Sequence, residues 1–260
     1  MTKWQMWAAA TLVVSAWAVP PAAHAQPVDA VPVIEPVVLE EIEHDPTAFT
    51  EGLELHIGGG ALFEGTGLAG ASQLRELDPA TGRLRRESPV PNDYFGEGIT
   101  VVGDRIWQLT YRDGVAVEWD AATLSAVREV PLVGEGWGLC YDGERLIRSD
   151  GTNRLRFHNP DDMTEIGGID VTRDGRTLNG LNELECVDGQ VWANLWPSDN
   201  IVRIDPGTGS VNLVVDAAGL RTRGIPASAQ VLNGIAHVQG DEFLLTGKDW
   251  PKTFRVQLGP

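Results

Sequence analysis

Lysine is scarce in this chain of 260 residues, since only Lys248 and Lys252 occur besides Lys3 near its start. Lysine and arginine together number 20 against 37 aspartates and glutamates, which gives a formal net charge of −17. Because nucleic acids and anionic membranes attract basic surfaces, this acidic balance argues against both as partners. It mildly favours a cationic substrate such as a free peptide amine, although acidity that serves only solubility explains it as well.

Cysteine is equally rare, with only Cys140 and Cys186 in the sequence. They have neither a CxxC spacing nor an obvious partner histidine, which argues against a metal site or a nucleophilic thiol. In an oxidising compartment they would be able to pair, whereas small buried cysteines on neighbouring repeats also remain apart. We expect neighbouring repeats to diverge, and we therefore favour unpaired cysteines.

No apolar run is long enough to span a membrane. The run over residues 6–18 follows the basic Lys3 and precedes the small-x-small triplet Ala23-His24-Ala25. It is too short for a bilayer span and has the length of the hydrophobic region of a secretory signal. We therefore predict a signal peptide over residues 1–25, cleavage after Ala25, and a mature protein that is periplasmic or secreted and soluble.

A helical period of useful length is also missing, and strand-like runs alternate with turn signals from Ala61 onward. Five repeats each open with a short motif, and the motif is followed by a tight turn that contains glycine. The turn glycines lie 40 to 51 residues apart. The five motifs are Glu51-Gly52-Leu53, Gly96-Glu97-Gly98-Ile99, Gly136-Trp137-Gly138-Leu139, Leu181-Asn182-Glu183-Leu184 and Leu232-Asn233-Gly234-Ile235.

Repeats of this length that each supply four short strands are typical of a β-propeller. The fifth repeat ends at Pro260 without a fourth strand, whereas a strand-like segment over residues 33–42 precedes the first repeat. We predict an all-β, five-bladed β-propeller with four-stranded blades, formed by residues 26–260 as a single domain. The N-terminal strand completes the last blade and closes the ring, which removes two open sheet edges. A closed ring needs no partner, so we expect a monomer.

Antiparallel blade strands place the five motifs and the ends of the second strands at one mouth of the central channel. One interpretation of the residues at this mouth is that they form a functional site. The other is that the polar residues are buried and bind water, while the tryptophans only fill the channel. The motif positions contribute Glu51, Glu97, Trp137, Asn182, Glu183 and Asn233, and the ends of the second strands contribute Thr66, Thr110, Tyr111, Asp150, Trp196, Lys248 and Trp250.

Eight segments in chain order carry a more specific signal. They are His44-Asp45-Pro46-Thr47-Ala48-Phe49-Thr50-Glu51-Gly52-Leu53, Tyr94-Phe95-Gly96-Glu97-Gly98, Gln108-Leu109-Thr110-Tyr111, Glu135-Gly136-Trp137-Gly138-Leu139, Ser149-Asp150-Gly151, Leu181-Asn182-Glu183-Leu184-Glu185, Leu232-Asn233-Gly234-Ile235-Ala236 and Thr246-Gly247-Lys248-Asp249-Trp250-Pro251-Lys252. In this order and spacing they closely resemble the plant and bacterial type of glutaminyl-peptide cyclotransferase, whose fold is a five-bladed propeller.

The resemblance implies an acyltransferase that converts N-terminal glutamine of peptides or proteins to pyroglutamate and releases ammonia, with no essential metal or other cofactor. It assigns the catalytic polar groups to Glu97, Asn182 and Lys248. A carboxylate suits the transfer of a proton from the attacking amine to the leaving ammonia, and an amide and an ammonium suit the oxyanion. The residues expected to bind substrate are Phe49, Glu51, Phe95, Tyr111, Trp137, Trp196 and Trp250.

Two positions depart from the family pattern. Glu51 stands where the family usually has glutamine, and Tyr111 stands where it usually has tryptophan. The carboxylate of Glu51 would hold the ammonium form of the substrate, raise the pKa of Glu97 or change the substrate preference. Tyr111 keeps an aromatic wall but makes it smaller and adds a hydroxyl group.

Two other functions fit parts of the pattern. A metal-dependent, lactonase-like propeller hydrolase would hold a divalent cation with Glu97, Asn182 and Asp150. Lysine at the same mouth argues against a bound cation, and such hydrolases fit six blades better than five. A propeller that only binds peptide or sugar at a tryptophan-lined mouth is the second alternative.

Overall fold

The computed structural model describes residues 30–56 and 60–259, together with residues 1, 2 and 4. The predicted signal sequence therefore lies, from residue 5 to residue 25, outside the described residues. Within the part of the chain that is described, no helix has the length and apolar character that a membrane span requires.

The described chain is built almost entirely of short β-strands that follow one another in antiparallel order. Two strands precede the first repeat: β1 (Val33–Ile34) and β2 (Val37–Glu43). The first sheet contains β3 (Thr50–His56), β4 (Ala61–Thr66), β5 (Gln73–Leu77) and β6 (Leu84–Pro89). The second contains β7 (Gly96–Val102), β8 (Arg105–Thr110), β9 (Val115–Asp120) and β10 (Ser125–Pro131). The third contains β11 (Leu139–Tyr141), β12 (Leu146–Arg148), β13 (Arg154–His158) and β14 (Glu165–Asp170).

The remaining strands form two further sheets. A hairpin of β15 (Thr172–Arg173) and β16 (Arg176–Thr177) leads into β17 (Leu181–Val187), β18 (Gln190–Leu195), β19 (Asn200–Asp205) and β20 (Ser210–Asp216). The last sheet contains β21 (Leu232–Gln239), β22 (Glu242–Gly247), β23 (Lys252–Gln257) and the early strand β2. Two 3₁₀ helices cover Pro91–Asp93 and Ala218–Arg223.

The chain is an all-β propeller with four-stranded blades. Four of its sheets have four strands each, and one has seven. In the seven-stranded sheet, β17 to β20 form the antiparallel series, while β15 and β1 pair in parallel with β20 at its edge. The sequence had predicted equal repeats and had placed Val33 and Ile34 in the strand that completes the last blade, whereas they form β1 and pair with β20. It gave no sign of β15 and β16, because each is only two residues long.

The N-terminal strand β2 pairs antiparallel with β23, as the missing last strand of the fifth repeat had predicted. His44, directly after β2, fixes this junction to the first sheet. Its Nδ1 lies 2.7 Å from the carbonyl oxygen of Trp250, and its Nε2 lies 2.8 Å from the Glu64 carboxylate. Although burial opposes a charged imidazole, the negative charge of Glu64 raises the pKa of His44. A buried ion pair therefore joins the two ends of the β-structure.

The innermost strands of consecutive sheets approach one another closely around the channel. A Cβ atom on Gly98 would lie 2.5 Å from the carbonyl oxygen of Trp137, and one on Gly138 would clash with the carbonyl oxygen of Asn182. Both glycines belong to the repeated motifs. The motif glycines are therefore required where one inner strand contacts the next, since any side chain there would separate the strands.

Cys140 and Cys186 form a disulfide, contrary to our expectation from the sequence. They lie on the innermost strands β11 and β17, and their Cα atoms are 5.4 Å apart, which is within the range for a disulfide. Blades diverge towards the outside of a propeller, but their inner strands converge. Divergence of the blades therefore does not separate cysteines at this radius, and the expectation that they are unpaired was wrong.

Two buried carboxyl groups connect the inner strands inside the channel. Glu183 accepts hydrogen bonds from the backbone N–H groups of Leu53 and Ile235, and Glu185 accepts one from His237. Burial raises the pKa of both groups well above the ordinary value of 4.5, and their neighbouring carboxylates raise it further. Each group therefore binds its proton more tightly in the folded protein than in the unfolded chain.

Replacement of Glu185 by glutamine should make stability less sensitive to pH. A raised folded-state pKa stabilises the fold most below pH about 4.5, and this contribution is lost as the pH rises through the folded-state value. Glu185→Gln keeps an acceptor for the N–H of His237 and removes the titration. We expect its free energy of unfolding to fall less between about pH 5 and pH 8 than that of the wild type, in urea titrations at several pH values.

The matched control is Glu87→Gln, because Glu87 is exposed on β6. The free energy of unfolding of this variant should vary with pH as that of the wild type does. Parallel curves for Glu185→Gln and the wild type would show that Glu185 does not titrate with folding.

Candidate functional site

A cavity of about 390 Å³ opens at the mouth of the channel that the sequence motifs share. Another cleft, of about 350 Å³, lies between the first and last sheets and is lined mainly by apolar side chains. The cavity at the mouth brings carboxyl, amide and ammonium groups together with aromatic rings. Its lining residues are Phe49, Glu51, Phe95, Glu97, Tyr111, Arg112, Glu135, Trp137, Asn182, Trp196, Gln230 and Lys248.

Three polar side chains of the cavity, those of Glu51, Glu97 and Asn182, come from irregular positions at the beginnings of inner strands. The pairing register shifts beside Glu51 in β3, beside Glu97 in β7 and beside Asn182 in β17. A β-bulge changes the direction in which a side chain points and commonly occurs next to functional sites. The repeated motif therefore has a local structural meaning, because it marks where each inner strand directs a residue towards the mouth.

Glu51 and Lys248 form a buried ion pair on the cavity wall. The Nζ of Lys248 lies 2.6 Å from Oε1 of Glu51, and the two side chains are 10% and 2% exposed. Asn233 donates a second hydrogen bond, of 2.9 Å, to Oε2 of Glu51. The lysine ammonium also lies 4.7 Å from the centre of the Phe49 ring. Burial nevertheless raises the pKa of Glu51 to about 7, against the opposing charge of Lys248.

Glu97 lies beside this ion pair and is itself buried. Oε2 of its carboxyl group has no hydrogen-bond partner among the described residues. Burial raises the pKa of Glu97 well above its ordinary value, and the negative charge of Glu51 raises it further. A carboxyl group with a raised pKa in a cleft is suited to acid–base chemistry.

Asn182 faces the cavity from the beginning of β17. Its backbone carbonyl accepts a hydrogen bond of 2.6 Å from the hydroxyl of Ser149, which fixes the main chain at this point. Its side-chain oxygen is buried and has no hydrogen-bond partner within the described part of the protein. Because buried polar groups are nearly always satisfied, an unpaired amide in a cleft indicates a ligand-binding group.

An aromatic wall forms one side of the cavity. It consists of Phe49, Phe95, Tyr111, Trp137 and Trp196, and each ring contacts the next. The distances between successive ring centres are 6.1, 5.7, 6.5 and 5.9 Å. Trp196 is half exposed at the rim, so the wall extends from the buried polar groups to solvent. Such a wall binds apolar parts of a ligand and excludes water.

Three lining residues were missed by the sequence analysis. Arg112 and Glu135 form an ion pair of 2.7 Å at the rim, and Glu135 also accepts a hydrogen bond of 3.0 Å from the Trp137 indole. Gln230 belongs to the long connection before β21. Arg112 and Glu135 were adjacent in sequence to residues that we had selected, but charged residues in loops have no periodicity that would distinguish them from surface residues.

Trp250, which we expected at the substrate pocket, lies in the hydrophobic core and does not line the cavity. Its indole N–H donates a hydrogen bond of 2.9 Å to the carbonyl oxygen of Gln230, and its ring packs against Phe254 and Gly247. The turn after β22 directs the side chain of Lys248 to the channel and that of Trp250 into the hydrophobic core. Proximity in sequence to Lys248 therefore misled the prediction.

The ligand set of the lactonase-like alternative is not assembled. Asp150 binds Arg156 at 2.9 Å and the hydroxyl of Thr152, and it is not part of the cavity lining with Glu97 and Asn182. Within residues 30–56 and 60–259, no three side chains of histidine, cysteine, aspartate and glutamate are grouped as metal ligands. The other mouth residues that we selected, namely Thr66, Thr110, Glu183 and Asn233, are buried near the cavity but do not line it.

Comparisons with known proteins agree with the resemblance that the motifs carry. The sequence model of the glutamine cyclotransferase family matches residues 8–258. A glutaminyl-peptide cyclotransferase of Arabidopsis thaliana is 40% identical over 227 residues, which cover 85% of this chain and 70% of the plant protein. The crystal structure of a Myxococcus xanthus glutaminyl cyclase aligns with a TM-score of 0.80 and 36% identity, over 88% of this chain and 98% of the bacterial chain.

Two tryptophan substitutions should show by their effects on stability which ring lies in the core and which lines the cavity. Trp250→Ala removes a fully buried ring and should lower the free energy of unfolding by about 3–5 kcal/mol. Trp196→Ala removes a half-exposed ring and should cost less than about 1 kcal/mol. Denaturant titrations of both variants measure the difference, and equal losses would contradict the assignment of Trp250 to the core.

Proposed function

Because the chain belongs to the glutamine cyclotransferase family, we propose that it converts the N-terminal glutamine of peptides and proteins to pyroglutamate and releases ammonia. One observation carries this proposal at the level of residues. Glu97, Asn182 and Lys248 come together in the cavity beside the aromatic wall, and Oε2 of Glu97 and Oδ1 of Asn182 have no hydrogen-bond partner among the described residues. These are the groups that an intramolecular acyl transfer needs.

The cavity suits the folding of a glutamine side chain onto its own α-amine. Its volume of about 390 Å³ lies in the range of small-ligand sites and is sufficient for a terminal glutamine residue. In our proposal the aromatic wall packs against the methylene groups and holds the amide carbon next to the amine. Such positioning of two groups of one molecule supplies a large part of the rate enhancement. Exclusion of water by the same rings disfavours hydrolysis.

Glu97 transfers the proton in the proposed reaction. The α-amine attacks the side-chain amide carbon, and the departing nitrogen leaves as ammonia only after it gains a proton. The unpaired Oε2 of Glu97 and the raised pKa of this buried carboxyl group support the assignment. In the same proposal, Asn182 and Lys248 donate hydrogen bonds to the oxyanion that forms on the amide oxygen. The set that binds substrate is Phe49, Glu51, Phe95, Tyr111, Trp137 and Trp196.

We also propose that the reaction proceeds without a metal ion. The steps require one proton carrier and two hydrogen-bond donors to the oxyanion, and the cavity side chains provide all three. An ammonium group on the cavity wall would repel a divalent cation at the same place. The charge of Lys248 therefore supports a reaction without a metal ion, as does the presence of a proton carrier and two hydrogen-bond donors among the cavity side chains.

We further propose that residues 26–260 form a single domain of five blades. The protein is in our proposal a monomer that is exported. Counting β17 to β20 as one blade gives five, and the innermost strands β3, β7, β11, β17 and β21 contact one another in a closed series. The disulfide between Cys140 and Cys186 supports export, because disulfides persist in oxidising compartments. The acidic balance of the sequence supports the absence of nucleic acid and membrane partners.

Ammonia release from a peptide with N-terminal glutamine tests the activity. We expect turnover by the protein produced from the full-length chain, and we expect Glu97→Gln to lower kcat by about 10²–10⁴-fold because the proton carrier is lost. The stability of this variant should remain close to that of the wild type, as measured by thermal unfolding. A folded wild-type protein without turnover would contradict the proposed function.

Two controls separate the proposal from its alternatives. A peptide with an acetylated N-terminal glutamine has no free α-amine and should release no ammonia. Preincubation with a chelator should leave the rate unchanged, whereas a metal-dependent hydrolase would lose activity.

Export predicts a defined N-terminus. Mass spectrometry of the protein recovered from the periplasm or medium should give a chain that begins at Gln26, because cleavage is predicted after Ala25. Recovery of the uncleaved chain in the cytoplasm would contradict the proposed localisation.

A further inference from the structure

The hydrogen bonds around Glu51 determine where the protons of the site lie. Its Oε1 faces the ammonium of Lys248 at 2.6 Å, and its Oε2 accepts a hydrogen bond of 2.9 Å from Asn233. An ammonium and an amide NH₂ act here only as donors, so both oxygens of Glu51 act as acceptors. The arrangement is that of an ionised carboxylate.

Glu97 lines the same cavity and is buried, but Oε2 of its carboxyl group receives no hydrogen bond from the described residues. Glu51 and Lys248 already neutralise each other. A second carboxylate would leave one net negative charge in a buried site, which is costly.

We propose that Glu97 rests as the neutral carboxylic acid beside an ionised Glu51, and that it therefore enters the reaction as the proton donor to the departing ammonia. Glu51 is a positioning residue in this scheme, since it binds Lys248 and its negative charge faces the proton-bearing carboxyl of Glu97 in the same cavity. The resting proton follows from the structure alone, whereas its use in the reaction rests on the proposed function.

The bonds and protons of such a cycle balance. The neutral α-amine forms a C–N bond to the side-chain amide carbon, and the carbonyl electron pair moves to oxygen. As the oxyanion collapses, the bond from carbon to the amide nitrogen breaks, and Glu97 gives its proton to that nitrogen, which leaves as ammonia. The carboxylate of Glu97 then takes the extra proton from the new ring nitrogen. The lactam is released and Glu97 is again the acid.

Other charged groups face Glu97 from the neighbouring elements. Glu51 comes from β3, Lys248 from the turn after β22, and Glu135 from the loop before β11, with Arg112 paired to Glu135. Glu51 and Glu135 both favour the neutral form of Glu97, and Lys248 opposes it. Removal of the charge on Glu51 takes away a negative charge that favours neutral Glu97. It also frees the positive charge of Lys248, which is bound to Glu51, and both changes favour the ionised form of Glu97.

Infrared difference spectroscopy on the ligand-free protein at about pH 8, above the pKa of about 7 of Glu51, tests the resting proton without any assay of activity. The spectrum of the wild type minus that of Glu97→Gln should contain the carbonyl stretch of a protonated carboxyl group. In the Glu51→Gln background the same subtraction should lack this band, because Glu97 then becomes the counter-ion of Lys248. The control Glu87→Gln, at an exposed position, should remove only carboxylate bands.

The pH dependence of kcat/KM tests the role in the reaction. In Glu51→Gln, the limb that belongs to the enzyme rather than to the substrate amine should move to lower pH by about 1–3 units. Glu185→Gln, which removes a buried carboxyl group of the channel outside the cavity, should leave this limb in place. Thermal unfolding of each variant verifies that it is folded.

Each result supports or overturns a definite statement. Absence of a protonated carboxyl band in the first subtraction overturns the resting proton, even if the enzyme is fully active. If the band is present but the enzyme limb of the pH profile of kcat/KM does not move in Glu51→Gln, the role of Glu51 in the reaction is overturned. A protein that shows the band but never releases ammonia would leave the resting proton valid and overturn the proposed function.

Discussion

Close approach of the inner strands is the constraint on which the rest of this molecule depends. Glycine at positions such as Gly98 and Gly138 lets one inner strand contact the next without an intervening side chain. The narrow channel that results brings residues from five separated motifs within reach of one another. It also brings Cys140 and Cys186 into bonding distance, and it lets Glu183 accept hydrogen bonds from two other strands.

The narrow channel also determines the electrostatics of the site. The charged side chains there are buried, so each charge needs a partner or a proton. Lys248 and Glu51 satisfy each other, while His44 and Glu64 do the same at the junction of the first and last sheets. Glu97 and Asn182 also line the cavity, and each retains an unpaired oxygen among the described residues.

Most of the fold and of the site followed from the sequence because both depend on the same repeated motif. The motif marks an inner strand and its bulge, so its copies identified Glu51, Glu97 and Asn182 together with the strands that carry them. Features outside the repeat were not predictable in this way. The direction of Trp250 depends on one turn, the rim pair of Arg112 and Glu135 lies in loops, and the ion pair of Glu51 and Lys248 joins residues 197 positions apart. Such contacts depend on tertiary geometry that no local pattern records.

The pairing of β2 with β23 has a consequence for the biosynthesis of the protein. The ribosome makes β2 before any blade and its partner β23 after nearly all of the other strands, so that the ring has two open edges until β23 appears. Closure therefore waits for β23, and contacts between segments so far apart in sequence form slowly. Until then the blades form an open series, and only a chain that already contains β23 can become a ring.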